Sequence, residues 1–328
     1  MLIVNALAHL LVDAVCAATL FGLKSGAEPI PLLLLYNTLA FSSQCLVGQL
    51  TDRIGHWDKL SAAACAFLGV CALLPIPAMW KAACLGLGNS LFHVAAGSVT
   101  LADSGGRAAP LGLFVAPGAV GLMAGTLFPV LRPVFACLLF AAAALTLFAG
   151  RRRPEPPKPQ PRSARWAVIV LLLAAVAARA IGGTAAYFPW KTTALASAAL
   201  AIFVFTGKAA GGLVCDRLGA RATALLSIPA AALLIAFCGG SMPLSLLGQL
   251  LLNLTMPITL WLIYRELPGF PGFAFGLPAS VLWPAQLVGQ SVAGAGEGRW
   301  LWILLSFALG LFAIYYAVKG EKTREKAD

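Results

Sequence analysis

Charge is scarce in this chain. Only 11% of its 328 residues are Asp, Glu, Lys or Arg, while 60% are hydrophobic, and a soluble globular domain carries about 25% charged residues. So little polar surface cannot cover a soluble globule of this length, and the solvent for most of the chain is lipid. Several motifs are missing as well. There is no His-Glu-x-x-His, no Gly-x-Ser-x-Gly, no pair of intramembrane aspartates and no nucleotide-binding loop. Those absences argue against an intramembrane hydrolase and an ATP-driven pump, so neither enzymatic activity nor a cofactor is expected. The eight cysteines form no Cys-x-x-Cys pair and fall almost entirely inside apolar runs. They read as small core residues rather than a disulfide framework or a zinc site.

What is present is a series of apolar stretches. A spanning helix needs about 20 mostly apolar residues, and Gly, Pro and charge clusters divide the chain into twelve such segments. Their expected bounds are 3–23, 30–50, 59–80, 82–102, 108–129, 131–150, 166–188, 192–214, 220–239, 242–264, 270–293 and 299–318. Between the third and fourth, only Lys81 is taken to mark the turn. The first segment lacks the basic start of a secretory signal and is expected to remain as a helix of the mature protein.

The basic residues give the orientation. With the amino terminus inside, sixteen Lys and Arg fall on the cytoplasmic side, against Lys24, Lys81, Arg132, Lys191 and Arg299 outside. That is a strong positive-inside bias, and it places both termini in the cytoplasm. The net charge of +11 then follows from topology and attraction to the anionic inner leaflet, without nucleic acid as a partner. Residues 151–165 are rich in Pro and Arg and read as an extended cytoplasmic linker. It separates an expected six-helix bundle over 1–150 from a second over 166–328, which ends in a short cytoplasmic tail.

Two turns repeat each other half a chain apart. Gly48, Asp52, Arg53 and Gly55 match Gly212, Asp216, Arg217 and Gly219, each position offset by 164 residues. Such a turn needs Gly48 for a close approach or bend, Asp52 to complement a helix amino terminus, Arg53 to pair with a carboxylate or carbonyls, and Gly55 for the reversal. Two copies in register speak for a duplicated membrane protein rather than two solvated loops.

This pattern resembles the loop signature of the major facilitator superfamily, and the likeness of architecture covers the whole chain. A narrower resemblance, over about forty residues, is to the fosmidomycin-resistance-type exporters. It is carried by His9-Leu10-Leu11-Val12-Asp13, by the run from Gly86 through Asn89 to His93, and by Asp103 to Arg107. The chain departs from that branch where Val94-Ala95-Ala96 follow His93 instead of an acidic residue. It also has Thr126 where a proline would stand, although Pro117, Gly118, Gly121 and Gly125 keep the glycine spacing of the antiporter signature. The resemblance implies an all-α membrane protein of twelve helices in two pseudo-symmetric bundles that rock in alternating access. It also implies efflux by proton exchange from a bacterial inner membrane, with helices one, four, seven and ten lining a central cavity.

Ionisable groups inside a span cost about 3 kcal/mol each and are functional candidates by default. By the bounds above Asp13 is the one carboxylate well inside, accompanied by His9, His93, Arg179 and Lys208. Asn5, His9 and Asp13 are spaced four apart and share one helix face, as do Asn89 and His93. Gln249 and Asn253 would enter the cavity from the tenth helix. Tyr36, Tyr187, Trp283 and Gln286 are secondary cavity candidates.

The expected mechanism takes Arg179, with Lys208, as the attraction for a small anionic or polar organic solute, and Asp13 as the carrier of the coupling proton with His9 or His93 as relay. The two repeated turns would form a cytoplasmic gate, with Asp52 and Asp216 docking and releasing. A monomer surrounded by lipid is expected. Two alternatives stand beside it: a divalent-metal transporter using His9, Asp13 and His93 near Cys16, and a transport-inactive membrane scaffold.

Overall fold

A computed structural model describes residues 1–23, 29–152, 163–294 and 296–324, with the side chains of residues 29, 297 and 320–324 left out. Lys24, most of the expected linker (153–162) and the end of the tail (325–328) lie outside the described residues. Every regular element among the described residues is helical. The first half holds α1 (Leu2–Gly22), α2 (Pro29–Asn37), a π-helical turn (Thr38–Ser42), α3 (Gln44–Ile54), α4 (Trp57–Leu73), α5 (Ala78–Ala102), α6 (Ala109–Val115), α7 (Pro117–Leu127) and α8 (Arg132–Arg151). The second holds α9 (Trp166–Ala185), α10 (Ala194–Leu218), α11 (Ala220–Phe237), α12 (Met242–Asn253), α13 (Thr255–Glu266), α14 (Pro271–Ala293) and α15 (Arg299–Arg324).

Among the described residues, nine helices are long and apolar enough to cross a bilayer, or ten when the pair from Ile30 to Ile54, bent by 43°, counts as one span. The expected twelve spans are therefore not all established. Helix α4 stops after 17 residues, about 26 Å at 1.5 Å per residue and short of a 30 Å hydrocarbon core. Helix α14 is diluted by Pro278, Pro284, Gln286 and Gln290. Large apolar side chains such as Leu46, Phe148 and Leu226 are more than half exposed. That outward apolar surface suits lipid, and the chain is an integral membrane protein.

One expected turn is corrected. The break between the third and fourth segments falls at residues 74–77, where Pro75 and Pro77 cannot continue a helix, and not at Lys81. Lys81 sits inside the first turn of α5 and is buried.

The chain divides into two compact units, each taking in a short piece of the other half of the sequence. The first comprises Met1–Gly105, Leu113–Gln160 and Gly269–Ser280; the second comprises Gly106–Gly112, Pro161–Pro268 and Val281–Asp328. In the first, α1 packs against α7, α8, α5 and α4, and α5 packs on α2, the π turn and α3. Glycines allow the tightest of these contacts. A Cβ on Gly121 of α7 would stand 2.0 Å from the Leu10 carbonyl oxygen, and one on Gly125 would stand 2.2 Å from that of Ala14, so α7 lies backbone to backbone on α1. In the second unit, α9 packs on α15 and α13, and α10 packs on α11, α12 and α13.

Candidate functional site

Helix periodicity puts His9 one turn before Asp13, and packing brings His93 of α5 to both. The two Nε2 atoms of His9 and His93 lie 2.8 Å apart. Asp13 Oδ2 is 3.3 Å from His9 Nε2, and its Oδ1 is 3.7 Å from His93 Nε2. One ligand atom from each of the three residues lies within 4.8 Å of the others. Each imidazole is oriented by a main-chain carbonyl on its far side: His9 Nδ1 donates to Phe114 at 2.8 Å, and His93 Nδ1 donates to Asn89 at 2.9 Å. Asn89 Nδ2 donates to Asp13 Oδ1 at 3.4 Å and reaches Cys16 Sγ at 3.9 Å. The Cys16 thiol in turn interacts with the Tyr36 hydroxyl. Polar contacts thus run from Tyr36, in the last turn of α2, through α1 to α5.

Bare backbone closes one side of the cluster. A Cβ on Gly118 would be 2.5 Å from both Asp13 Oδ2 and His9 Nε2, so the first turn of α7 presents no side chain there. Asn5, fully buried on the same face of α1, ties that helix to α5 through Ala96, and its Oδ1 has no partner among the described residues.

The second unit carries intramembrane cations of its own. Arg179 of α9 donates from Nη1 to Thr259 Oγ1 of α13 at 3.5 Å, a long bond that leaves most of the guanidinium fork for other acceptors. Gln249 is buried, and Asn253 donates to its carbonyl one turn back in α12. Lys208 and Gln286 are half-buried and Trp283 is buried. Tyr187 lies beyond the end of α9, 57% exposed, with the Arg299 guanidinium 5.0 Å over its ring.

The repeated turns have one geometry in both copies. Asp52 accepts from the backbone N–H groups of Gly272 and Phe273 at 2.7 and 2.8 Å, at the start of α14. Asp216 accepts from Ala108 and Ala109 at 2.7 and 3.0 Å, at the start of α6. The first four N–H groups of a helix lack internal partners, so each carboxylate caps a helix far from it in sequence. A Cβ on Gly48 would meet the Gly272 carbonyl oxygen at 2.3 Å, and one on Gly212 would meet that of Ala108 at 2.4 Å. Gly55 and Gly219 adopt φ of +67° and +83°, which an L side chain rarely adopts. Arg53 and Arg217 are exposed in the last turns of α3 and α10, where a cation complements the helix dipole.

A scan against protein-family models finds no match, and neither does a search of curated protein sequences. Solved structures match over nearly the whole chain. The E. coli fucose:proton symporter FucP covers 96% of this chain with 97% of its own, at 13% identity and a TM-score of 0.69. A second structure of FucP, a major facilitator superfamily transporter in the outward conformation, covers 95% and 98% at a TM-score of 0.68 and 13% identity. A bacterial homologue of the iron transporter ferroportin, in an outward-facing state, covers 98% and 99% at 16% identity and a TM-score of 0.65. The fold is that of the major facilitator superfamily transporters.

Within this major facilitator fold, five of the six predicted residues of the first half, His9, Asp13, Tyr36, Asn89 and His93, lie along one part-buried set of polar contacts, and Asn5 bonds α5 separately. Those of the second half are spread over α9, α10, α12, α14 and the segment after α9. Sequence reasoning missed the Phe114 carbonyl, Gly118, Thr259 and the ion pair of Arg165 with Glu266. A carbonyl acceptor leaves no trace in side-chain chemistry. Gly118 stood in a recognised glycine run, but spacing did not say what it faced.

Proposed function

We propose that the chain is a secondary active transporter moving a small anionic or polar organic solute by alternating access, coupled to protons through Asp13 with His9 and His93. The observation that carries this reading is the part-buried cluster itself, a carboxylate and two imidazoles joining α1 to α5. Intramembrane groups of this kind mark proton relays, and imidazole is the side chain that exchanges protons near neutral pH. Arg179 supplies a cation for an anionic solute, and Lys208 on α10 adds a second. The Asp52 and Asp216 caps are proposed as the cytoplasmic gate, released when the capped helices move. The setting is a bacterial inner membrane with both termini in the cytoplasm, and α4 and α14 complete twelve spans in two bundles of six. Within the superfamily, the fosmidomycin-resistance branch is the proposed relation, resting on the residues from His9 to Asp13 and from Gly86 to His93.

The divalent-ion alternative meets a geometric difficulty. Two imidazole nitrogens on one tetrahedral ion, each at about 2.0 Å, stand about 3.3 Å apart, whereas the two Nε2 atoms are 2.8 Å apart. That spacing suits an N–H···N hydrogen bond.

The test is flux in proteoliposomes. A thermal-shift screen against anionic and neutral metabolites first identifies a ligand through added stability. Transport of that ligand is then measured with and without a pH gradient for the wild type and Asp13→Asn. Gradient-driven transport should be lost in the variant; if it persists undiminished, Asp13 has no part in coupling. Absence of flux in the wild type would leave the scaffold reading.

A further inference from the structure

The hydrogen bonds around the cluster fix how many protons it holds. A carbonyl oxygen only accepts, so Nδ1 of His9, facing Phe114 O at 2.8 Å, carries a hydrogen. Nδ1 of His93, facing Asn89 O at 2.9 Å, carries one for the same reason. A neutral imidazole has one N–H, so two neutral rings would both present bare lone pairs at Nε2. Those Nε2 atoms are 2.8 Å apart. Two lone pairs at that distance repel, whereas a lone pair and an N–H form a hydrogen bond of ordinary length.

We infer that His9 and His93 share one extra proton between their Nε2 atoms, so that the coupling proton rests on the imidazole pair with Asp13 as its counter-charge and next acceptor. This rests on the reading of the cluster as the coupling site. The pair then carries three N–H hydrogens and one positive charge. Asp13, with its two oxygens at 3.3 and 3.7 Å from the paired nitrogens, balances that charge. The Asn89 amide donating to Oδ1 is the partner an ionised carboxylate requires.

The other elements around the pair add few ionisable groups. Helices α6 and α7 contain none. From α1 and α2 come Cys16 and Tyr36, linked through Asn89. Helices α4 and α8 have their charges only near their ends, at Asp58, Lys59, Arg132 and Arg151, with Cys65, Cys71 and Cys137 as their other ionisable groups.

The shared proton is also a mechanical link. Its transfer from Nε2 of His9 to Oδ2 of Asp13 leaves a neutral carboxylic acid and two neutral imidazoles, with the net charge of the cluster unchanged. The two facing lone pairs then repel, and the contact between α1 and α5 loses its bridge. Proton position thereby becomes helix separation.

Nitrogen NMR of the full chain tests this directly, because there are three histidines and His56, in the turn between α3 and α4, serves as an internal reference. In 15N-histidine-labelled protein in lipid nanodiscs, a scalar coupling between the two Nε2 nuclei is expected, with both Nδ1 sites protonated. In His93→Gln and, reciprocally, His9→Gln, the coupling vanishes, while an unchanged His56 signal and thermal midpoint report an intact fold. A wild type without the coupling, whose His9 nitrogen signals match those of His93→Gln, overturns the inference. If that result accompanies loss of gradient-driven flux in Asp13→Asn, the transport reading stands without it. If the coupling is present but no gradient drives flux, the transport reading fails and the shared proton stands.

Discussion

Arg165 holds Glu266 in two ways, through its guanidinium and through its own backbone N–H. Glu266 closes α13 and is 4% exposed, while Arg165 is the residue before α9. The pair therefore pins the start of one helix of the second unit to the end of another. A buried carboxylate is tolerable only while paired, and removing one partner of such a pair typically costs several kcal/mol.

Arg165→Ala should therefore destabilise the protein by about 2–3 kcal/mol, less than the roughly 3–5 kcal/mol of a fully buried pair because the Arg165 side chain keeps some solvent contact. The double replacement Arg165→Met with Glu266→Leu should recover much of the loss, since it removes the stranded charge as well. Thermal unfolding of the three variants in one detergent checks this order.

Each of the two capping carboxylates should protect its own helix start. Asp52→Ala is expected to cost about 1 kcal/mol and to speed hydrogen exchange at Gly272 and Phe273. Asp216→Ala should do the same at Ala108 and Ala109. Exchange followed by mass spectrometry separates the two, and accelerated exchange at both helix starts in either variant would contradict the assignment.

Gly121 has no room for a methyl group against α1. Gly121→Ala should destabilise by about 1–3 kcal/mol through overpacking. Gly240, where a methyl group would meet nothing within 4 Å, should accept alanine with little change. The difference in unfolding midpoint between the two variants is the measurement.

Arg179 should be needed for an anionic solute. A charge-assisted hydrogen bond contributes about 1.5–3 kcal/mol, so Arg179→Gln should weaken binding of an anionic ligand by roughly tenfold to a hundredfold. Arg179→Lys should restore only part of that affinity, because the planar fork is lost. Ligand-induced thermal shifts give the comparison, and a neutral ligand should respond to neither change.

The membrane setting, the repeated turns and the candidate side chains of α1 and α5 were legible because each is a local property of the chain. Composition selects lipid as solvent, and the period of 3.6 residues alone puts Asn5, His9 and Asp13 on one face. Spacing by four does the same for Asn89 and His93. The turn at Pro75 and Pro77 was equally local, yet the charge of Lys81 masked it. Burial of that side chain against the protein, instead of exposure at the surface, is a tertiary outcome.

By itself, then, the sequence determined an apolar helical chain with two related halves and a short set of groups costly to leave in lipid. Only the tertiary structure decided which of those groups meet. His9 finds His93 across 84 positions, and Asp52 finds the start of α14 across 220. Helix rotation and tilt set such meetings, and they follow from the packing of glycine-lined faces such as Gly118, Gly121 and Gly125 on α1. Pattern along one helix leaves that rotation open, and packing between helices closes it.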